Sequence, residues 1–252
     1  MTAANGKHTL FISDLHLCEE RPHINEMFFR FTRNVAPGAE ALFILGDLFE
    51  YWVGDDDIDN KLASGVADAL MALSKDGVAV YLMQGNRDVV LGHDYASRCG
   101  STLIPDPTVI DLYGTRTLLM HGDTLCTDDL EYQKYRAYIR DPRIQAQLLA
   151  LPLAVRHEQA RSIRTQSEAH KSTKAAQIMD VNADAVAEVF QRHAVRQMIH
   201  GHTHRAARHT ADSAKGMLVR WVLPDWGTSC GYLTASLGAD LRQRWLPSDA
   251  TT

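Results

Sequence analysis

Five short polar segments, each directly following an apolar run, constrain this chain more than any other feature of its sequence. The runs cover residues 10–12, 41–45, 78–83, 117–120 and 195–199. Because buried strands give way to loops at such points, the segments fall where open α/β sheets build their sites. The segments are Asp14-Leu15-His16, Gly46-Asp47, Gly85-Asn86-Arg87-Asp88, His121-Gly122 and Gly201-His202-Thr203-His204.

The five segments hold seven side chains that can bind a metal: Asp14, His16, Asp47, Asn86, His121, His202 and His204. Carboxylate, amide and imidazole ligands without thiolate suit divalent Mn, Fe, Zn or Mg. Seven ligands exceed the needs of one tetrahedral ion, so we expect two divalent ions. Asp47 is predicted to bridge the ions. Asp14, His16 and His204 would complete the first ion; Asn86, His121 and His202 would complete the second.

The alternation of apolar and helical patterns predicts an α/β fold. Strands are predicted near 10–13, 41–45 and 78–83, with helices near 24–35 and 60–74, which gives a largely parallel sheet. A hairpin around Tyr113-Gly114 would deliver the strand that ends at His121. Alternating segments at 217–223, 232–237 and 241–245 predict an antiparallel second sheet. We therefore expect one domain over 1–252, a two-sheet sandwich flanked by helices.

Composition indicates a cytoplasmic protein. The first strand begins within ten residues of the N-terminus, which leaves no room for a signal peptide, and no apolar stretch approaches the roughly 20 residues that span a bilayer. Four cysteines lie far apart without a C-x-x-C pair, as expected of a reducing compartment. The chain is thus expected to be soluble or peripheral to a membrane.

The five segments, read as D-x-H, G-D, G-N-x-[DE], H-G and G-H-x-H, resemble those of the calcineurin-like metallophosphoesterases. The resemblance implies an αββα sandwich with a helical cap insertion at about 128–178. Within this superfamily the chain is similar, from about residue 9 to 205, to the UDP-2,3-diacylglucosamine pyrophosphohydrolases of lipid A synthesis in Gram-negative bacteria. The similar stretches are FISDLHLCEERP, LGDLFEYWVGDDD, GNRDVVLG, MHGDTLCTDD, IMDVN and IHGHTHR.

This resemblance implies hydrolysis of UDP-2,3-diacylglucosamine to UMP and 2,3-diacylglucosamine 1-phosphate (lipid X), with a metal-activated hydroxide attacking the alpha phosphorus. It also implies that the two divalent ions are preferably Mn²⁺, and that the protein is a monomer at the cytoplasmic face of the inner membrane that binds no nucleic acid. Lysine stands at position 171 where the family pattern has asparagine. The implied catalytic residues are Asp47, Asn86, Arg87 and His121. The implied substrate contacts are Asn86, Arg87, Asp129, Ser167, Lys171, Lys174 and His202.

Arg87 departs from the broad superfamily, which usually carries histidine there as a general acid. Arginine cannot donate a proton at neutral pH. A pyrophosphate substrate removes this need, because its leaving group is itself a phosphate and is stable as an anion. Arg87 therefore favours cleavage of a P–O–P bond over an alkyl phosphoester.

The cap region has two unusual features. Residues 134–174 contain nine Lys or Arg against three acidic residues in a chain of net charge −5, which suits an anionic substrate. Alternatively, Arg156, Arg161 and Arg164 only solvate a helix face. The apolar stretch 148–155 either packs against the main domain or forms an acyl-chain groove.

Three other functions remain open at this point. A phosphomonoesterase or phosphodiesterase would share the ligands but want histidine at position 87. A non-catalytic scaffold would typically have lost ligands, and a nuclease would be disfavoured by the acidic main domain.

Among the nearby carboxylates, Asp88 and Asp123 are expected to orient the histidines or Arg87. Asp55, Asp56 and Asp57 are expected to form a solvated loop or to support the site.

Overall fold

The computed structural model describes residues 7–173, 180–214, 216–237 and 239–247, with the side chains of 165–173, 239 and 240 left undescribed. Within these ranges the chain forms eleven strands, seven α-helices and one short 3₁₀ helix (Asp123–Leu125). The strands are β1 (His8–Ile12), β2 (Ala41–Leu45), β3 (Ala79–Met83), β4 (Ser101–Ile104), β5 (Thr108–Leu112), β6 (Thr115–Met120), β7 (Gln197–His200), β8 (Ala207–Ala211), β9 (Leu218–Val222), β10 (Gly231–Ser236) and β11 (Ala239–Trp245). The helices are α1 (Pro22–Asn34), α2 (Lys61–Lys75), α3 (His93–Arg98), α4 (Leu130–Ile139), α5 (Pro142–Leu149), α6 (Leu153–Thr173) and α7 (Ala183–His193).

Two sheets face each other and carry helices on their outer sides. The first sheet has the order β11-β10-β1-β2-β3-β4, and the second has the order β5-β6-β7-β9-β8. Phe11, Phe43, Leu119 and Ile199 belong to a buried cluster that contains residues of both sheets. Separate clusters join α1, α2 and α3 to the first sheet and α7 to the second. The predicted α/β sandwich is confirmed.

The expectation that residues 217–245 form an antiparallel second sheet is wrong. β9 lies in the second sheet, where it pairs parallel with β7 on one side and antiparallel with β8 on the other. The β10–β11 hairpin instead joins the first sheet, where β10 pairs antiparallel with β1. Alternation within a strand shows that one face is buried, but it does not show which sheet edge the strand completes.

The helices α4, α5 and α6 follow one another between the end of β6 and α7. The apolar stretch at 148–155 is interrupted where α5 ends at Leu149 and α6 begins at Leu153. Leu148 packs against the first core cluster, whereas Leu149 and Val155 are 41% and 37% exposed. This stretch is therefore not one continuous groove. Among the described residues, none of the helices combines the length and the apolar character needed to cross a bilayer.

Candidate active site

The loops that follow the strands are bonded to one another. The Asp14 amide donates to the Gly46 carbonyl (3.1 Å), and the His16 amide donates to the Asp47 carbonyl (3.0 Å). On the other sheet, the Gly201 amide donates to the His121 carbonyl (2.8 Å). Parallel strands end at the same edge, so these bonds gather the loops of each sheet. The His202 amide donates to Asp14 Oδ2 (2.9 Å) and joins the loops of the two sheets into one centre.

The backbone at this centre is unusual for residues with side chains. Asp14, His16, Asp47, His202 and His204 all have positive φ, between 51° and 67°. Such left-handed conformations are disfavoured for L-residues and cluster at functional sites, at a cost of about 1–3 kcal/mol each. Five of the seven predicted ligands therefore occupy conformations that the surrounding loops must enforce.

Two buried carboxylates lie at the middle of the centre. Asp14 uses Oδ2 to accept from the Ser13 hydroxyl (2.6 Å) and the His202 amide (2.9 Å), while its Oδ1 accepts no hydrogen bond from the described residues. Asp47 Oδ1 accepts from the Arg87 amide (2.8 Å) and lies 3.8 Å from His121 Nε2. Asp47 Oδ2 lies 3.8 Å from His16 Nε2 on the other side. Asp47 is thus oriented as a bridging carboxylate would be.

The structure brings the seven predicted ligands together. Ligand atoms of Asp14, His16 and His204 lie within 4.8 Å of one another, as do those of Asp14, Asp47 and His121. Asn86 Oδ1 lies 3.0 Å from His121 Nε2 and 2.9 Å from His202 Nδ1. The group of Asp14, His16 and His204 corresponds to the first predicted set, and the contacts of Asn86 join the second set, whereas the group of Asp14, Asp47 and His121 takes a member from each set.

The donor set fits divalent cations. Asp14 keeps a buried oxygen without a hydrogen bond, and two glycines leave room for the carboxylates. A Cβ on Gly85 would lie 2.1 Å from Asp47 Oδ1, and one on Gly201 would lie 2.1 Å from Asp14 Oδ2. Only glycine therefore allows the loops to approach the carboxylates so closely.

The buried groups shift one another's proton affinities. Burial, together with Asp88 and Asp14, raises the pKa of Asp47 to about 7. For His121, burial lowers the pKa, but the carboxylates of Asp47 and Asp14 outweigh it and raise the pKa to about 9. Burial and the neighbouring His121 lower the pKa of His202 to about 3. Protons and cations would therefore compete for this centre, as is usual at metal sites.

We expected Asp88 and Asp123 to orient the histidines or Arg87, but their hydrogen bonds go to other groups. Asp88 accepts from the backbone amides of Gly85 (2.7 Å) and Leu48 (2.8 Å). It therefore joins the loop after β3 to the loop after β2. Asp123 accepts from the Tyr132 hydroxyl (2.9 Å) and Arg136 Nε (2.8 Å), which attaches α4 beside the centre.

The acidic run Asp55 to Asp57 supports the site region through specific contacts. Asp55 accepts from Trp52 Nε1 (2.9 Å) and the Gly92 amide (2.9 Å). Asp56 pairs with both terminal nitrogens of Arg156, and Asp57 Oδ2 lies 3.1 Å from His157 Nε2. Two of these acids thus hold α6 against the main domain.

A cavity of about 380 Å³ opens beside the centre. Asn86 and Arg87 line it together with aromatic and aliphatic side chains from the main domain and from α4, α5 and α6. Leu148 is the part of the 148–155 stretch that reaches this cavity. Its apolar lining includes Trp52, Val89, Val90, Tyr135, Ile139, Leu148 and Ile163.

Arg156 and Arg164 in the cap do not merely solvate a helix face. Arg156 is 3% exposed and donates through Nε to the Leu151 carbonyl (3.0 Å) besides binding Asp56. Arg164 Nε lies 3.4 Å from Glu50. These arginines find acidic partners in the main domain, which local sequence does not reveal.

The remaining predicted substrate contacts lie on or near the cap. Asp129 caps α4, since its Oδ1 accepts from the Tyr132 amide (3.1 Å). Ser167 and Lys171 fall on α6, where only the backbone is described, and Lys174 lies outside the described residues. Sequence reasoning missed Tyr132, whose ring centroid is 5.7 Å from that of His202. It also missed Glu50, three residues after Asp47, for which the pattern held no signal.

Comparisons with known proteins identify a family and its relatives. Residues 7–206 match the family model described as calcineurin-like phosphoesterase. A UDP-2,3-diacylglucosamine hydrolase of Stenotrophomonas maltophilia (strain K279a) is 52% identical over 91% of this chain and 95% of its own. One of the same name from Cellvibrio japonicus (strain Ueda107) is 49% identical over 94% of this chain and 99% of its own. The chain belongs to the calcineurin-like phosphoesterase family, and its sequence groups with relatives named UDP-2,3-diacylglucosamine hydrolase.

Proposed function

We propose that the chain hydrolyses the pyrophosphate bond of UDP-2,3-diacylglucosamine to UMP and 2,3-diacylglucosamine 1-phosphate. The observation that carries this proposal is the position of Arg87, which lines the apolar cavity while its amide holds the carboxylate of Asp47. A substrate with two acyl chains and a pyrophosphate needs both an apolar cavity and a cationic centre. The name shared by the relatives supports the same substrate.

The chemistry requires cations that the seven ligands are suited to hold. Two divalent ions, preferably Mn²⁺, would lower the pKa of water toward neutrality and neutralise charge on the phosphate. Asp47 would serve both ions, since its two oxygens face His16 and His121 on opposite sides. Buried loops enforce this arrangement, so little reorganisation is needed when substrate binds.

Arg87 would bind the phosphate that is attacked. Its planar guanidinium can grip two phosphate oxygens at once and stays charged at neutral pH. It cannot protonate a leaving oxygen, which suits a phosphate leaving group. Alongside Arg87 we assign Asn86 and His121 to the catalytic centre. We retain as substrate contacts Asn86, Arg87, Asp129, Ser167, Lys171, Lys174 and His202.

We also propose that the chain is one domain over 1–252 with a cap at about 128–178, acting as a monomer at the cytoplasmic face of the inner membrane. Several large apolar side chains on or beside the cap are exposed, including Leu130 (68%) and Ile58 (71%). Exposed apolar residues next to an acyl-chain cavity favour contact with the membrane that contains the lipid substrate.

Product analysis tests the proposed reaction. Purified protein is incubated with UDP-2,3-diacylglucosamine and Mn²⁺ in oxygen-18 water, with Asp47→Ala as the inactive control. We expect UMP that carries one labelled oxygen and an unlabelled sugar 1-phosphate. Label in the sugar phosphate would contradict attack at the alpha phosphorus. An intact lipid substrate beside rapid hydrolysis of a phosphomonoester would contradict the proposed substrate.

A further inference from the structure

Glu50 is a buried carboxylate to which neither the sequence pattern nor the proposed reaction gives a role. It is 7% exposed and lines the apolar cavity. Its oxygens lie 3.4 Å from His16 Nδ1, 3.7 Å from Arg87 Nη1 and 3.4 Å from Arg164 Nε. One carboxylate thus lies among a predicted metal ligand, the predicted phosphate-binding arginine and a helix of the cap.

The contact with His16 bears on metal binding. His16 Nε2 faces the centre, 3.8 Å from Asp47 Oδ2 and 3.4 Å from His204 Nε2. A carboxylate beside the other ring nitrogen favours a proton on Nδ1. It thereby leaves the lone pair of Nε2 directed at the centre. Glu50 is placed to select the tautomer that a metal ligand requires.

The contacts with the two arginines bear on the substrate side of the centre. Arg87 and Arg164 come from different parts of the chain, the β3 loop and α6, and both line the cavity. Two guanidinium groups repel each other unless an anion lies between them. Glu50 supplies that anion on the main domain, and Glu20 contacts Arg164 from 3.8 Å on its more exposed side.

We infer that Glu50 is a positioning residue that orients His16 for the metal and holds Arg87 and α6 at the edge of the same centre. The part that concerns Arg87 rests on the proposed function. The part that concerns His16 requires only that the seven ligands bind divalent ions. Metal binding and catalysis therefore test the two parts separately.

The first measurement is Mn²⁺ binding to metal-stripped protein, by titration calorimetry, for wild type, Glu50→Gln and Glu20→Gln. Replacing a carboxylate that orients a metal-bound histidine typically lowers metal affinity about 10–100-fold, so we expect a loss of this size for Glu50→Gln. Glu20→Gln is the matched control, because it removes the other carboxylate beside Arg164 without contacting His16. Its affinity should stay within about twofold of wild type.

The second measurement is kcat and KM at saturating Mn²⁺, which restores metal occupancy. Glu50→Gln should still have a lower kcat, because Arg87 has lost its buried partner, whereas Glu20→Gln should keep the wild-type kcat. The melting temperatures of the metal-stripped wild type and Glu50→Gln should agree, which shows that the lower affinity and kcat do not come from unfolding. Glu50→Ala, which lacks the amide, should show the same losses of affinity and kcat. Wild-type Mn²⁺ affinity and wild-type kcat in Glu50→Gln would overturn the inference. If the wild-type protein leaves UDP-2,3-diacylglucosamine intact, the proposed function fails while a selective loss of Mn²⁺ affinity still supports the role of Glu50 toward His16.

Discussion

At the scale of single residues, the centre depends on two glycines as much as on the predicted ligands. Gly85 and Gly201 bring their backbones against Asp47 and Asp14, so the carboxylates cannot rotate away from the neighbouring histidines. Five of the seven predicted ligands also hold left-handed backbone conformations. The positions of the glycines are therefore as restrictive as those of the ligands.

Gly85→Ala should impair metal binding although it removes no ligand. The added Cβ would lie 2.1 Å from Asp47 Oδ1, so the bridging carboxylate must move. We expect at least a tenfold loss of activity and fewer bound ions per protein, measured by elemental analysis. Gly65→Ala on α2 is the control, because its Cβ would meet only the Phe29 ring of α1, at 3.4 Å. This substitution should stabilise α2 by about 0.5–1 kcal/mol. Full occupancy in Gly85→Ala would contradict the tight packing around Asp47.

At the scale of elements, α6 is attached to the main domain through its first turns. Arg156 binds Asp56 and the Leu151 carbonyl, and His157 lies 3.1 Å from Asp57. The guanidinium is nearly fully buried, whereas Asp56 remains largely exposed. A charged hydrogen bond with one buried partner contributes more than a surface ion pair but less than a fully buried one.

Asp56→Asn should loosen the start of α6 without unfolding the protein. The substitution keeps the shape of the side chain but weakens the charged pair by about 1 kcal/mol. This corresponds to a roughly fivefold larger population of the locally open state, and so to roughly fivefold faster exchange. Hydrogen–deuterium exchange over residues 153–164 would measure this opening. Asp59→Asn, at an exposed position on the same loop, should leave the exchange rate unchanged. An equal effect of both substitutions would show that loop charge, and not the contact with Arg156, holds the helix.

At the scale of the whole molecule, the main domain and the cap helices both contribute side chains to the cavity. Trp52, Val89 and Val90 come from the main domain, while Ile139, Leu148 and Ile163 come from the cap helices. An acyl chain bound there would be covered from both sides. Substrate length and cap attachment should therefore influence the same step.

Ile163→Asp tests whether the cavity binds acyl chains. Ile163 lines the cavity, and Val155 lies on the same helix with similar exposure but outside the lining. A carboxylate against an acyl chain is strongly unfavourable, so we expect Ile163→Asp to lose at least tenfold, on the order of 1.4 kcal/mol, in kcat/KM for the diacyl substrate. Chain-free UDP-glucosamine should be hydrolysed as by wild type, and Val155→Asp should match wild type on both substrates. Loss on both substrates in Ile163→Asp would indicate general damage to the site.

The sequence predicted that the seven side chains lie together, because they follow strands whose carboxyl ends meet at one edge. The proximity of Asp14, Asp47 and His121 could be predicted from local pattern. The edge joined by β10 and the partners of Arg156 and Glu50 could not, because they depend on segments far apart in the chain. The exposure of Leu149 and Val155 beside the partly buried Leu148 likewise could not be read from hydropathy, because the stretch is broken between the end of α5 and the start of α6.

Because the predicted ligands come from two different sheets, metal binding would link metal supply to the lifetime of the protein. Asp14, Asp47 and Asn86 follow strands of one sheet, and His121, His202 and His204 follow strands of the other. Ions bound between these two sets of side chains would cross-link the two sheets of the folded protein. The unfolded chain would gain no such stabilisation. A concentration one hundred times the Kd would add about 2.7 kcal/mol to the free energy of unfolding. Cells short of the metal would then lose this protein to proteolysis as well as losing its activity.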